Sequence, residues 1–133
     1  MRILKVKTKQ RAIGDLGEKI AAKYLKKHGY KILERNFVAW DAEIDIVAKH
    51  KDLLAFVEVK TRSVTDLLPS PASAVTPEKQ RKIIKAAKSY AAFCTREYIL
   101  RLDVIEIIID GKHAKEINHI ENAFNYNTAR HRF

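Results

Sequence analysis

The residues in this chain best placed to do chemistry are Asp45, inside Ile44-Asp45-Ile46-Val47, and Glu58-Val59-Lys60, which ends the apolar run Leu53-Leu54-Ala55-Phe56-Val57. Acids and a lysine stand where a buried strand would carry more valine. In an extended strand side chains alternate between faces, so Glu58 and Lys60 share one face about 7 Å apart while Val57 and Val59 point to the other. Charges drawn toward an apolar interior are costly unless paired or bound to a cation. Metal-assisted phosphodiester chemistry would use such a set. Mg²⁺ takes oxygen ligands, usually only one or two of them carboxylates, and leaves its other positions to water and substrate phosphate. Asp45 and Glu58 meet that demand, the backbone carbonyl of Val59 can add a third oxygen, and Lys60 can orient an attacking water or balance charge on the phosphate. Glu18, on a helix beside Gly14 and Gly17, can complete the site as a further acid.

Each of these residues also has a plainer account. Glu58 and Lys60 could be a solvent-exposed pair on an amphipathic strand, contributing about 0–1 kcal/mol. Asp45 could be an ordinary outward-facing residue of a half-buried strand, and Glu18 a surface acid. Spacing alone does not choose between the readings. Other chemistries fit worse. The histidines, His28, His50, His113, His119 and His131, lack paired metal-ligand spacing, and the single Cys94 excludes a thiolate zinc site. No glycine is followed by Lys-Ser or Lys-Thr in a phosphate-loop pattern, so no nucleotide cofactor is expected. Cys94 reads as a core residue.

The elements that must hold these residues follow from periodicity and turn chemistry. A helix is predicted near 10–28, with Ile13, Leu16, Ile20, Tyr24 and Leu25 on one face and Gly29 as its C-terminal cap. Tyr30 to Val38 reads as a strand, Ala39-Trp40-Asp41-Ala42 as a turn, Glu43 to Ala48 as a strand, and Lys49-His50-Lys51-Asp52 as a hairpin to the strand Leu53 to Lys60. These strands should form an antiparallel meander. The stretch 63–75, with Pro69 and Pro71, reads as a loop. Thr76-Pro77-Glu78 is a helix start: a hydroxyl cap, proline at the first position and an acid in the first turn. Ile83, Ile84, Ala87, Tyr90, Ala91 and Cys94 recur at helical spacing, leaving Lys79, Arg81, Lys82, Lys85 and Lys88 largely off that stripe. Tyr98 to Ile109, the turn Asp110-Gly111 and Lys115 to Ile120 read as two further strands, and 125–133 as a basic tail. A crossover helix makes the third and fourth strands parallel. The expected fold is α/β (α+β), ordered α-β-β-β-α-β-β, with a mixed central sheet flanked by helices.

At 133 residues the chain has the length of one domain with a real core. Twenty-six Lys and Arg against 16 Asp and Glu give a net charge of +10, which favours polyanionic partners. One cysteine suits a reducing compartment, the charged segment Met1-Arg2-Ile3-Leu4-Lys5-Val6-Lys7 has no apolar leader pattern, and no apolar stretch nears the roughly 20 residues of a membrane span. A soluble cytoplasmic protein without membrane contact is expected.

Ordered blocks carry a family resemblance. They are Gly14-Asp15-Leu16-Gly17-Glu18, Tyr30-Lys31-Ile32-Leu33-Glu34-Arg35-Asn36, Glu43-Ile44-Asp45-Ile46-Val47-Ala48, Phe56-Val57-Glu58-Val59-Lys60-Thr61-Arg62, Ala74-Val75 with Lys79-Gln80, Leu102-Asp103-Val104 and His119-Ile120-Glu121-Asn122-Ala123-Phe124. Over about residues 11–124 the chain resembles the YraN-like family of small bacterial proteins. That family is similar to the restriction-endonuclease-like fold with its PD-(D/E)xK core, which includes Holliday-junction resolvases. The resemblance implies that Asp45, Glu58 and Lys60 hold the signature positions and Glu18 that of the first-helix acid. The sequence departs from the pattern at Ala42, where the family usually has glycine, and at Leu67-Leu68-Pro69-Ser70-Pro71, where it usually has a glycine-bearing loop. A β-carbon at position 42 would disfavour positive φ near Asp45.

These features support a Mg²⁺- or Mn²⁺-dependent endonuclease acting on structured or branched DNA, with Arg62, Lys79, Gln80, Arg81 and Lys82 near the phosphates. Cutting a symmetric junction at both ends would call for a homodimer. The alternative is a nucleic-acid-binding module that keeps the fold without turnover, as a subunit of a repair or uptake complex. A protein-interaction domain whose charge only aids solubility is the third class.

Overall fold

The computed structural model describes residues 9–66 and 75–125. Most of the predicted loop at 63–75, the basic tail beyond 125 and the first eight residues lie outside them. The order is α1 (Lys9–Lys27), β1 (Lys31–Ala39), β2 (Ala42–His50), β3 (Leu53–Ser63), a 3-10 turn (Val64–Asp66), α2 (Pro77–Ala92), β4 (Ile99–Asp110) and β5 (His113–Ile120). The strands form one sheet ordered β1-β2-β3-β4-β5. All neighbours are antiparallel except β3 and β4, which run parallel from Leu53↔Ile99 to Ser63↔Ile109, as a crossover through α2 requires. The α+β class, the meander and the element order are those expected.

Local signals act at each boundary. α1 ends in a Schellman motif: Gly29 takes φ 88°, Tyr30 N–H donates to the Leu25 carbonyl at 2.9 Å, and Gly29 N–H to that of Lys26 at 3.1 Å. α2 begins with Pro77 at its first turn, and the Thr76 hydroxyl accepts from Lys79 N–H at 3.2 Å. It ends at Ala92, earlier than predicted, so Cys94 lies just past the helix, half-buried against the core.

The helices cover opposite faces of the sheet. On the α1 side Ala21 and Leu25 pack with Ile46, Ala55, Val57, Ile105 and Ile107; on the α2 side Ile83 and Ala87 pack with Ile44, Val47, Leu54, Phe56 and Val104. β3 is covered on both faces, which is why it reads as a nearly unbroken apolar run. α1 approaches closely at Gly17, where a β-carbon would lie 1.9 Å from Thr61 Oγ1.

One irregularity matters for the site. Ile46 and Ala48 face α1 and Val47 faces α2, yet Ile44 also faces α2, so strict alternation fails at Asp45. β2 leaves β3 at the same point, because their pairing extends only from His50↔Leu53 to Ile46↔Val57. Across from it on β1, between the pairs Arg35↔Ile46 and Phe37↔Ile44, Asn36 takes φ 54°. Ala42 is buried with ordinary negative φ, so the position where the family usually has glycine makes no left-handed demand here. The left-handed residue is Trp40, at φ 59° in the two-residue turn between Ala39 and Ala42.

Candidate functional site

The splaying of β2 from β3 builds a cleft. Asp45 Oδ2 accepts from Val59 N–H at 2.8 Å, so a side chain takes the donor that the lost ladder no longer serves. The N–H and carbonyl of one strand residue point to the same edge, so the Val59 carbonyl faces the same edge of β3 as that N–H. Asp41, Ala42, Glu43, Asp45, Glu58, Lys79, Lys82 and Ile83 line a cleft of about 250 Å³. Asp45 and Glu58, from adjacent strands, therefore share one concave space.

Glu58 is 9% exposed and is met by two ammonium groups. Lys60 Nζ lies 3.5 Å from Oε1, along the same strand face, and Lys79 Nζ donates to the same oxygen at 2.7 Å. Capping by Thr76 sets the start of α2 and so holds Lys79 in its first turn above the strand end. Burial lowers the Lys79 pKa, but the Glu58 hydrogen bond and the charges of Glu58 and Asp45 outweigh that and leave it above its ordinary value.

Asp45 is the most perturbed acid of the cleft. Burial pushes its carboxyl up to about 7, Glu58, Glu18 and Glu43 add to the rise, and the Val59 hydrogen bond opposes it. Glu18 is raised as well, first by burial and then by Asp15, Glu43 and Glu58 against Arg35. It reaches the site's margin through Asn36, whose amide nitrogen, in the orientation its neighbours require, donates to Glu18 Oε1 at 3.0 Å and Glu43 Oε1 at 3.2 Å. Among the described residues no three His, Cys, Asp or Glu side chains converge on one point. Two carboxylates lining one cleft, Asp45 and Glu58, suit a hard cation that uses one or two carboxylates and completes its shell with water and phosphate.

The other basic candidates divide. Lys82 lines the cleft, 3.4 Å from Asp41 Oδ2 and 3.7 Å from Glu78 Oε1. Gln80 donates to the Val75 carbonyl at 2.7 Å and so braces the helix start. Arg81 is exposed on α2, and Arg62 is half-buried two residues beyond Lys60 on β3; neither lines the cleft. Asn36 and Glu43 were not singled out as site residues from the sequence. The signal for Asn36 was a polar residue, tolerant of left-handed backbone, in the middle of a strand.

A second buried acid stands on the opposite face of the sheet. Asp103, fully buried, accepts from Arg101 Nε at 2.8 Å and from Asn122 N–H at 3.0 Å, with His119 Nε2 2.8 Å from its Oδ2; Arg101 also donates to the Tyr30 hydroxyl at 2.6 Å. Burial alone would raise its pKa, but the hydrogen bonds from His119, Arg101 and Asn122 prevail and hold it below the usual carboxylate value. This cluster is closed by its own partners and ties β5 to β4.

Fold and site together define an α+β protein with a mixed five-stranded sheet and an acidic cleft at the point where two of its strands part. The chain belongs to the uncharacterised protein family UPF0102, whose model matches residues 17–107. It is 47% identical over 122 residues to a UPF0102 protein of Caldanaerobacter subterraneus subsp. tengcongensis, covering 89% of this chain and 98% of that protein. UPF0102 proteins of Clostridium acetobutylicum (47% over 113 residues, 84% and 92% covered) and Chlorobium phaeobacteroides (44% over 118 residues, 84% and 92% covered) are similarly related. Among the described residues no helix is long and apolar enough to cross a membrane.

Proposed function

We propose that this protein is a metal-dependent DNA endonuclease whose centre is Asp45, Glu58 and Lys60. One observation carries the reading: Asp45 and Glu58 line a single cleft, with Lys60 beside Glu58 and the backbone of Val59 turned toward Asp45. Asp45, Glu58 and the Val59 carbonyl would hold Mg²⁺ or Mn²⁺, which supplies Lewis-acid charge to a phosphate oxygen and lowers the pKa of bound water. Lys60 Nζ orients the attacking water and balances charge on the phosphate. Lys79, seated on Glu58 in the absence of substrate, is placed to move to a phosphate oxygen. Asn36 holds Glu18 at the margin, where it can accept a hydrogen bond from water. Lys82 and Arg81 lie along α2 for the flanking backbone.

The test is cleavage of junction, flap, single-stranded and linear DNA with Mg²⁺ or Mn²⁺ by wild type, Asp45→Ala and Lys60→Ala. Both variants should lose at least about 100-fold in rate, in the range general acid–base or electrostatic groups supply. Activity that survives both substitutions places the chemistry elsewhere. The Lys79 to Glu58 ion pair favours a second reading, because it already neutralises one of the two acids: a binding module without turnover. DNA binding whose log K falls with log salt, with no cleavage under either metal, would select it.

A further inference from the structure

Trp40 stands out from every other side chain near the cleft. It is the chain's sole tryptophan, it is 64% exposed, and it occupies a turn position at φ 59°. Two-residue hairpin turns demand positive φ at this place and normally use Gly, Asn or Asp. A bulky aromatic residue there is an outlier, and strained backbone of this kind concentrates at ligand sites. Neither burial nor turn geometry accounts for the indole.

Its surroundings give it a use. Asp41 and Ala42, the next residues in the chain, line the cleft, so Trp40 stands on its rim. Lys85 Nζ lies 4.1 Å from the ring centroid. Lys79, Lys82 and Lys85 recur every three residues on α2 and make consecutive contacts: with Glu58 in the cleft, with Asp41 at its lip and with Trp40 beyond it. The acids beside this row, Asp41 and Glu78, are both engaged by Lys82. With an ammonium on one face and so much of the residue exposed, the indole has its other face open to solvent. An open aromatic face at the end of a lysine row is what an unpaired base and its backbone require, since stacking serves any base and the ammonium groups serve the phosphates.

We infer that Trp40 is a stacking platform for an unpaired nucleotide, so that the cleft takes DNA with a single-stranded or splayed stretch in preference to continuous duplex. This rests on the proposed nucleic-acid function and names its substrate class. A base paired within a duplex has no free face to give to a side chain on the cleft's rim.

The sole tryptophan makes the test direct. Tryptophan emission and the anisotropy of labelled DNA are followed together in EDTA, so that nothing is cut, with an oligothymidylate and with a blunt duplex of equal length. Single strands should quench the emission in step with the rise in anisotropy, and duplex should raise anisotropy without quenching. Trp40→Ala should weaken single-strand binding about tenfold while leaving duplex binding unchanged, and Trp40→Phe should retain most of the affinity. Binding without quenching, or a Trp40→Ala variant that holds single strands as well as wild type, overturns the platform and leaves the nuclease reading standing. Emission that shifts with protein concentration in the absence of DNA assigns the indole to self-association instead. No anisotropy change with any DNA at low salt overturns both readings.

Discussion

Asp45 carries its charge at a cost to the fold. Its pKa of about 7 in the folded protein, raised by burial and by Glu58, Glu18 and Glu43, exceeds the ordinary value of 3.8. A carboxyl group whose folded pKa lies above its unfolded one gives stability that is complete below the unfolded value and is lost as pH rises through the folded one. Asp45→Asn keeps an oxygen for Val59 N–H and removes the ionisation. In metal-free buffer it should be more stable than wild type above about pH 8, by on the order of 1–2 kcal/mol, and nearly equal to it below about pH 4. Thermal midpoints measured across that range check this; a difference largest in acid would contradict the cause given. The neighbourhood of acids was only half legible in the chain. Asp45 and Glu58 announced themselves as charges in apolar strands, whereas Glu43 and Asn36 look like ordinary polar strand residues until β1 and β2 are paired.

At the scale of elements, two helices place the site from opposite sides of the sheet. α1 lies against β3 because Gly17 has no side chain to meet Thr61. In Gly17→Ala the new β-carbon would stand 1.9 Å from Thr61 Oγ1 and 2.8 Å from its Cβ, and no rotation of Thr61 moves its own Cβ away. The helix must shift, at a cost of about 1–3 kcal/mol, and Glu18 shifts with it. Urea unfolding should register the loss of stability. An unchanged midpoint would mean that α1 packs more loosely than the Gly17 contact requires. α2 is held by signals that are wholly local, Thr76 and Pro77, and these were readable directly. That its first turn would bring Lys79 to Glu58 was not readable, since it depends on where the crossover lands.

For the whole molecule, the Asp103 cluster joins parts far apart in the chain: Tyr30 at the head of β1, Arg101 on β4, His119 on β5 and Asn122 after it. Removing one partner from a buried charge set costs about 3–5 kcal/mol, so Asp103→Asn should be among the most destabilising single changes, as measured by chemical unfolding near neutral pH. Because the Asp103 pKa is held below its ordinary value, its contribution is present above about pH 4 and is lost as pH falls through the folded value. The difference between variant and wild type should therefore shrink in acid. A difference independent of pH would assign the loss to packing alone. The sequence by itself determined the two helices with the Thr76-Pro77 start and the Gly29 stop, the five strands, the parallel crossover and the acids set into apolar strands, because periodicity, turn chemistry and the cost of burying charge act over a few neighbouring residues or on one side chain. Only the tertiary structure decided that β2 parts from β3 at Asp45, that Lys79 and Lys60 share Glu58, that Asn36 bridges Glu18 and Glu43, and that Trp40 stands on the rim. Those contacts depend on register and crossover geometry, which the long-range packing of sheet and helices sets.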